Sequence, residues 1–246
     1  MITELELEIK YQSEKKLSYN SSSIMHGILM ECISVEYGKK LHENGWKPFS
    51  QVIYEITEES FSWNICTFTK EAKEEIIDKI LNIDEFYMRH RDLKLQVCKK
   101  TLHQFSYDSL MEEYYFKEQT RNITIEFRTP TAFKSHGNYI FMPNVHLIFQ
   151  SLIKKYDSFS SVASVGSEET LEHIERYVSI SRYRLRSVNF SLEGIRIPSF
   201  LGSITFSVRG PQQLVNLVKM LLIFGQYAGI GIKTALGMGC IQVKGE

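Results

Sequence analysis

The same order of strand-like and helix-like patterns occurs twice along the chain, and this repetition limits the possible folds more than any other feature. In the first half, strict alternation of acidic and aliphatic residues over positions 4–9 predicts a half-buried strand. A helix to about Lys40 follows the N-cap residues at positions 20–23. Two strands near residues 49–56 and 61–69, a helix over 71–81 and a strand near 93–105 complete the order β-α-β-β-α-β.

The second half repeats this order. A strand is predicted over residues 122–127, helices over 145–155 and 168–177, and a hairpin with arms 182–192 and 195–208. Pro211 then starts a helix that runs to Phe224, and residues 240–244 form the last strand. The fold class is therefore α+β, with two tandem ferredoxin-like (RRM-like) βαββαβ domains over residues 1–117 and 118–246.

The charges of the two halves differ, although the 29 basic and 29 acidic residues of the whole chain cancel. Residues 1–120 hold 15 Lys and Arg against 21 Asp and Glu, whereas residues 121–246 hold 14 against 8, which is six positive charges in excess. This asymmetry favours a surface for a polyanion on the second half. The N-terminus lacks a signal-peptide pattern and the longest apolar run has five residues, so we expect a cytoplasmic protein without a membrane partner.

A glycine-rich segment, GIGIKTALGMG, covers residues 229–239, between the last predicted helix and the last strand. The order helix–glycines–strand is the reverse of a Walker A loop, and nucleotide hydrolysis is therefore not expected. Glycines can instead bring bare backbone amides close to another chain, and a nearby lysine adds a point charge for a phosphate. The alternative is a flexible connection. The candidates for RNA contact are Gly229, Gly231, Lys233, Thr234, Gly237 and Gly239.

Three arginines at alternating positions, Arg182, Arg184 and Arg186, project from one face of a predicted strand. Like charges on one face repel each other unless an anion meets them, and the pattern therefore predicts contacts with RNA phosphates. A solvated outer face is the alternative. Weaker candidates of the same kind are Lys134, Lys154, Lys155 and Arg209.

Five segments carry a resemblance to a known family: GIGIKTALGMGCIQV, TPTAFK, FMP, IPSFLG and LHENGWKPFS. GIGIKTALGMGCIQV resembles the family's glycine-rich loop, and TPTAFK followed by FMP resembles the start of its second domain. IPSFLG resembles the hairpin of that domain, and LHENGWKPFS resembles the stretch with the usual catalytic histidine. Along this chain the matches fall in the same order as in the family. The family is the sixth CRISPR-associated family of the RAMP superfamily. Its members are endoribonucleases that cut precursor CRISPR RNA within the repeats.

The resemblance implies a metal-independent reaction with no cofactor. The ribose 2′-hydroxyl attacks the adjacent phosphate in line, which leaves a 2′,3′-cyclic phosphate and a 5′-hydroxyl. His42 in LHENGWKPFS matches the catalytic histidine, and it is expected in a polar loop as general acid or base. Lys47 is the candidate that stabilises the phosphorane, while Lys39 and Lys40 would guide the RNA.

The first helix departs from the family pattern, because Met30 stands where members often carry an active-site tyrosine. His26, Met30, Ile33 and Tyr37 form one stripe at helical spacing, and His26 or Tyr37 could replace the missing group. Core positions are the alternative for both. No cluster of His, Cys, Asp and Glu with metal-ligand spacing is found in the sequence.

The expected partner is CRISPR repeat RNA, and a homodimer and contacts with CRISPR effector subunits are left open. The competing interpretation is a non-catalytic RNA-binding subunit of an effector complex. A general single-stranded RNA-binding module is a third possibility, but its central strands would carry aromatic residues where this chain has arginines.

Overall fold

A computed structural model describes residues 1–13, 16–43 and 45–245, without the side chain of His90. The chain forms two compact units. The first unit holds Met1–Gln104 together with Ala235–Gly237, and the second holds the other described residues from Phe105 onward. No helix within the described ranges is long and apolar enough to cross a membrane.

The first unit has a five-stranded sheet with the order β2-β3-β1-β5-β4. Without the edge strand β4, this is the strand order of a ferredoxin-like domain. The strands are β1 Ile2–Tyr11, β2 Phe49–Tyr54, β3 Ser60–Thr67, β4 Glu85–Met88 and β5 Leu93–Phe105. The helices are α1 Ser22–Cys32, α2 Val35–Glu43 and α3, which consists of Lys70–Ala72, a π-helical turn Lys73–Ile77 and Asp78–Ile80.

The alternation in β1 separates the two faces of this sheet. Leu5, Leu7 and Ile9 are fully buried in the core that α1 and α3 cover. The acidic residues between them lie on the other face, where Glu6 accepts a hydrogen bond from the Tyr54 hydroxyl at 2.6 Å and Glu8 pairs with Lys99 at 2.8 Å. The alternating sequence therefore sets both the burial and the register of β1.

The second unit has a four-stranded sheet with the order β11-β6-β10-β9, which is also the ferredoxin-like order. Its strands are β6 Asn122–Thr131, β9 Val178–Leu192, β10 Ile195–Val208 and β11 Ile241–Val243, and β7 Phe133–Ser135 and β8 Asn138–Ile140 form a separate hairpin. Its helices are α4 (Tyr107–Leu110 and Met111–Tyr115), α5 Val145–Phe159, α6 Glu168–Tyr177 and α7 Gln212–Ala228. Phe149 of α5 contacts Phe206 of β10 with ring centroids 5.4 Å apart, in the core on one face of the sheet.

The structure confirms the two ferredoxin-like passes and differs from the sequence prediction in several elements. Strand β4 and the β7–β8 hairpin were not predicted, because three or four residues are too few for a periodic signal. The single helix to Lys40 is wrong: α1 ends at Cys32 and α2 begins at Val35. Residues 106–117, at the end of the predicted first domain, include α4, which belongs to the second unit. The functional division at residues 117 and 118 stays a prediction.

Candidate active site

A break between α1 and α2 sets the position of His42. Ile33 has an extended backbone, and Ser34 then caps α2: its hydroxyl accepts from the Tyr37 amide at 3.2 Å and donates to Glu75 at 2.8 Å. His42 lies in the last turn of α2, with an exposed side chain. The prediction that His42 lies in a loop is therefore wrong. The cap at Ser34 starts a second helix, which extends to Glu43, about one turn beyond the predicted helix end at Lys40.

Lys47 is fixed to the same helix end. Its Nζ donates a hydrogen bond to the backbone carbonyl of Leu41, the residue before His42. The Lys47 side chain is half-buried, and burial lowers the pKa of its ammonium group. This contact ties the strand that begins at Phe49 to the end of α2. Asn44, part of the matching segment, lies outside the described residues.

His26 of α1 lies close to both groups. Its ring stacks on Phe49, two residues after Lys47, with centroids 5.9 Å apart and an interplanar angle of 5°. Burial lowers the pKa of His26 to about 4; a backbone hydrogen bond with Ala235 acts in the opposite direction, and the charges of His42 and Lys47 lower it further. His26 is thus a neutral imidazole at neutral pH, next to the exposed side chain of His42 and the half-buried ammonium group of Lys47.

Tyr37 is in different surroundings. Its side chain is 4% exposed within the core of the first unit, and its hydroxyl has no hydrogen-bond partner among the described residues. Burial, with smaller contributions from Glu71 and Glu75, raises the pKa of this phenol. Met30 is half-buried against the same core. The break after α1 therefore divides the stripe that was expected to bring His26 and Tyr37 together.

The two lysines before His42 differ in their contacts. Lys39 is exposed, whereas Lys40 forms an ion pair with Glu71 at 2.6 Å. Both partners of that pair are about half exposed, so it is a weak interaction that a phosphate can displace.

The arginine strand is β9, an edge strand of the second sheet. Arg182, Arg184 and Arg186 face Thr205, Ser203 and Leu201 of β10, respectively. Ile204, which lies between Ser203 and Thr205 on β10, is buried, so the three arginines project from the opposite face. All three side chains are exposed, and none forms an ion pair with a described residue. Lys134 is also exposed, on the β7–β8 hairpin.

The glycine-rich segment packs against its own protein. Gly229, Gly231, Gly237 and Gly239 are buried with positive φ, and a Cβ on Gly231 or Gly239 would overlap a backbone carbonyl. The amide of Gly231 donates to the Ser151 hydroxyl at 2.9 Å, and that of Gly239 donates to the Pro130 carbonyl at 3.0 Å. These amides are not bare, so these glycines shape the loop, while Lys233 stands exposed on it with φ of 55°.

A buried lysine, Lys155, donates hydrogen bonds to this segment. The sequence analysis gave it only as a weaker candidate for contact with RNA phosphates. Lys155 of α5 is 4% exposed, and its Nζ donates to the carbonyls of Ala228 and Gly229 at 3.0 and 2.8 Å and to the Thr234 hydroxyl at 3.2 Å. Burial lowers the pKa of Lys155 to about 7. In the sequence, the burial of Lys155 is indicated by its position on a helix, three residues after Leu152 and next to Tyr156, both of which are buried.

Comparison with known proteins gives the family. The family model of CRISPR-associated endoribonuclease Cas6 matches residues 125–241. Proteins of that name from Mycobacterium tuberculosis (strain H37Rv) and Streptococcus thermophilus are 35% and 36% identical to this chain. The alignments cover 98% and 89% of this chain, and 77% and 89% of the two relatives.

Solved structures agree in fold. A Cas6 product complex has a TM-score of 0.79 at 22% identity and covers 99% of this chain and all of that one. Thermus thermophilus Cas6 has a TM-score of 0.73 at 21% identity, over 99% of this chain and 98% of its own. The sequence identities to two relatives over most of their lengths, with the same fold, show that the chain belongs to the family of CRISPR-associated endoribonucleases named Cas6.

Proposed function

We propose that this Cas6-family endoribonuclease cuts precursor CRISPR RNA within its repeats without a metal ion. The 2′-hydroxyl attacks the adjacent phosphate in line, and the products carry a 2′,3′-cyclic phosphate and a 5′-hydroxyl. Solved neighbours of the same fold are a product complex and a substrate-mimic complex of Cas6, which supports a repeat RNA as the partner. The observation that carries the proposal is the joint attachment of His42 and Lys47 to the end of α2.

This chemistry needs two proton transfers and one positive charge. A base takes the proton of the 2′-hydroxyl, an acid protonates the departing 5′-oxygen, and a cation stabilises the phosphorane. The exposed imidazole of His42 is suited to a proton transfer at neutral pH. The Lys47 ammonium, held by the Leu41 carbonyl, supplies the charge without the entropy loss of ordering a free lysine.

The second proton carrier is supported better at His26 than at Tyr37. His26 interacts electrostatically with both His42 and Lys47, whereas the Tyr37 hydroxyl lies in the core with a raised pKa. A neutral imidazole can accept a proton, and proximity to the Lys47 ammonium group favours its return to the neutral form after the reaction.

The RNA is proposed to bind along the exposed basic side chains. Arg182, Arg184 and Arg186 present an open row of charges on β9, and Lys39, Lys134 and Lys233 are exposed singly. Lys40 would exchange Glu71 for a phosphate. Gly229, Gly231, Gly237 and Gly239 would act through the shape of the loop, and Thr234 through its bond to Lys155. A cytoplasmic location follows from this substrate, and binding to effector subunits or to a second copy stays a prediction.

The first experiment incubates the protein with the repeat RNA of its host in EDTA and maps the ends of the products. We expect one cut with a 2′,3′-cyclic phosphate, slowed by about 10²–10⁴-fold in His42→Ala because an acid or base catalyst is lost. His103→Ala is the matched control, since His103 is an exposed histidine of β5. Tight binding without cleavage would favour the non-catalytic subunit. Cleavage at the normal rate in His42→Ala would contradict this active site.

A further inference from the structure

A short stretch of the glycine-rich segment, Ala235–Gly237, belongs to the first unit and lies against the start of α1. We refer to it as the anchor segment. A Cβ on Gly237 would overlap the side chain of Ser22, the first residue of α1, so only glycine permits this close approach at its φ of 96°. Ser22 stands one helical turn before His26.

Gln51 joins the anchor segment to α1. It lies on β2 with 2% of its side chain exposed, and its Nε2 donates to the carbonyl of Ala235 at 3.0 Å and to the carbonyl of Ser22 at 2.8 Å. The amide oxygen of Gln51 accepts from Trp63 Nε1 at 2.9 Å, which fixes the orientation of the amide. Both N–H groups and the oxygen of this buried amide thus have hydrogen-bond partners.

The anchor segment also reaches the imidazole. Ala235, which Gln51 holds, has the backbone hydrogen bond with His26, and Phe49 lies on the face of the same ring. His26 is therefore located by two contacts, one with a carbonyl that Gln51 fixes and one with a residue two positions before Gln51 on β2. Loss of the Gln51 amide releases the first contact and leaves the second.

We propose that Gln51 is a positioning residue of the reaction: it holds the anchor segment on α1, and the anchor segment orients His26 next to His42 and Lys47. This inference rests on the proposed function for its effect on cleavage. Its structural part, the dependence of the His26 environment on Gln51, does not. Because Gln51 is buried, it does not contact RNA directly, and its substitution should change the rate of the chemical step more than the affinity.

The test compares wild type with Gln51→Met, which keeps the side-chain length but removes the amide. In single-turnover cleavage at saturating repeat RNA we expect the rate to fall about 10- to 100-fold, the size typical of a misplaced reacting group. The Kd for RNA with a 2′-deoxy substitution at the cut should change by less than about threefold. NMR titration of the His26 ring should show its pKa fall further below the ordinary value, because the Ala235 contact that raises it is lost while the burial that lowers it remains.

Asn216→Leu is the matched control, because Asn216 is a buried amide of α7 that accepts from the Gln119 amide and donates to the Tyr115 carbonyl at 2.8 Å. It should lower the melting temperature but leave the cleavage rate and the His26 titration unchanged. Gly237→Ala, which pushes the anchor segment away from Ser22 and retains Gln51, should reproduce the effects of Gln51→Met. If Gln51→Met does not fold, the cleavage rate and the His26 titration of Gly237→Ala test the proposal instead.

The outcomes separate the two proposals. A normal rate in Gln51→Met, with or without a changed His26 titration, would overturn the positioning role. If wild type cuts no repeat RNA, the proposed function fails, while an altered His26 titration in Gln51→Met still supports the anchor. If the His26 titration is unaltered in both Gln51→Met and Gly237→Ala, the anchor segment does not orient His26, whether or not the wild type cuts repeat RNA.

Discussion

At the scale of single residues, the buried ammonium group of Lys155 acts as a hydrogen-bond donor to backbone carbonyls. The last carbonyls of a helix have no partner within it, and those at the end of α7 receive theirs from this ammonium group. The cost of burial is visible in the lowered pKa, and three acceptors at 2.8–3.2 Å offset it. A lysine in this position stabilises the glycine-rich segment rather than binding RNA directly.

Lys155→Met should therefore destabilise the protein. Methionine fills a similar volume but leaves the Ala228 and Gly229 carbonyls without their donor, and we expect the free energy of unfolding to fall by about 1–3 kcal/mol. Denaturant unfolding measures the change. Lys154→Met, at the exposed neighbouring position, is the control and should stay within about 0.5 kcal/mol of wild type. Equal stabilities of the two variants would refute the supporting role of Lys155.

At the scale of elements, the long hairpin of β9 and β10 has two chemically different faces. Ile204 and Phe206 lie on the buried side of β10, whereas the three exposed arginines of β9 lie opposite Thr205, Ser203 and Leu201, of which Leu201 is itself buried. Strand alternation alone produces this separation. An edge strand with exposed charges also resists pairing with another sheet edge, so the arginines are compatible with two roles.

The salt dependence of RNA binding distinguishes these roles. If each arginine of β9 neutralises one phosphate, the slope of log K against log salt should lose about 0.7 per residue, or about 2 for Arg182→Ala, Arg184→Ala and Arg186→Ala together. The measurement uses uncleavable repeat RNA between 50 and 200 mM salt. Arg196→Ala is the control, because Arg196 pairs with Ser191 on the other face of the same hairpin. An unchanged slope in the triple variant would mean that the three arginines do not bind RNA phosphates and only keep the edge of β9 from pairing with another sheet.

At the scale of the whole molecule, burial of His26 links stability to pH. The unfolded state binds a proton with a pKa near 6.5, and the folded state binds it only at about 4. Between these values the unfolded state holds more protons, so stability rises with pH through this window. The contribution of His26 is complete above about pH 6.5 and is lost as the pH falls through 4.

His26→Phe should remove this dependence, since a phenyl ring can keep the stacking on Phe49 without titrating. Between pH 7 and pH 4 the wild type should lose up to about 3 kcal/mol more than the variant, as judged by chemical unfolding at each pH. The difference should stay constant above pH 7. Parallel curves for the two proteins over the acidic range would show that His26 is solvated in the folded state.

The sequence by itself determined the two ferredoxin-like passes, most strand positions and the common face of the β9 arginines. These features depend on the period of the apolar and charged residues, which neighbours along the chain define. The sequence also singled out His42, Lys47 and His26, although their roles stay predictions. It did not reveal the break at Ile33, because the Ser34 cap interrupts the helix without interrupting the apolar spacing.

Only the tertiary structure decided which of these residues share an environment. The bond between Gln51 and Ala235 joins positions 184 residues apart, and Lys155 meets Gly229 across 74. His26 and Tyr37 belong to one stripe at helical spacing in the sequence. In the structure Tyr37 is enclosed in the core, whereas His26 lies beside His42 and Lys47. Hydrogen bonds and burial of this kind depend on how distant elements pack, and no local periodicity encodes them.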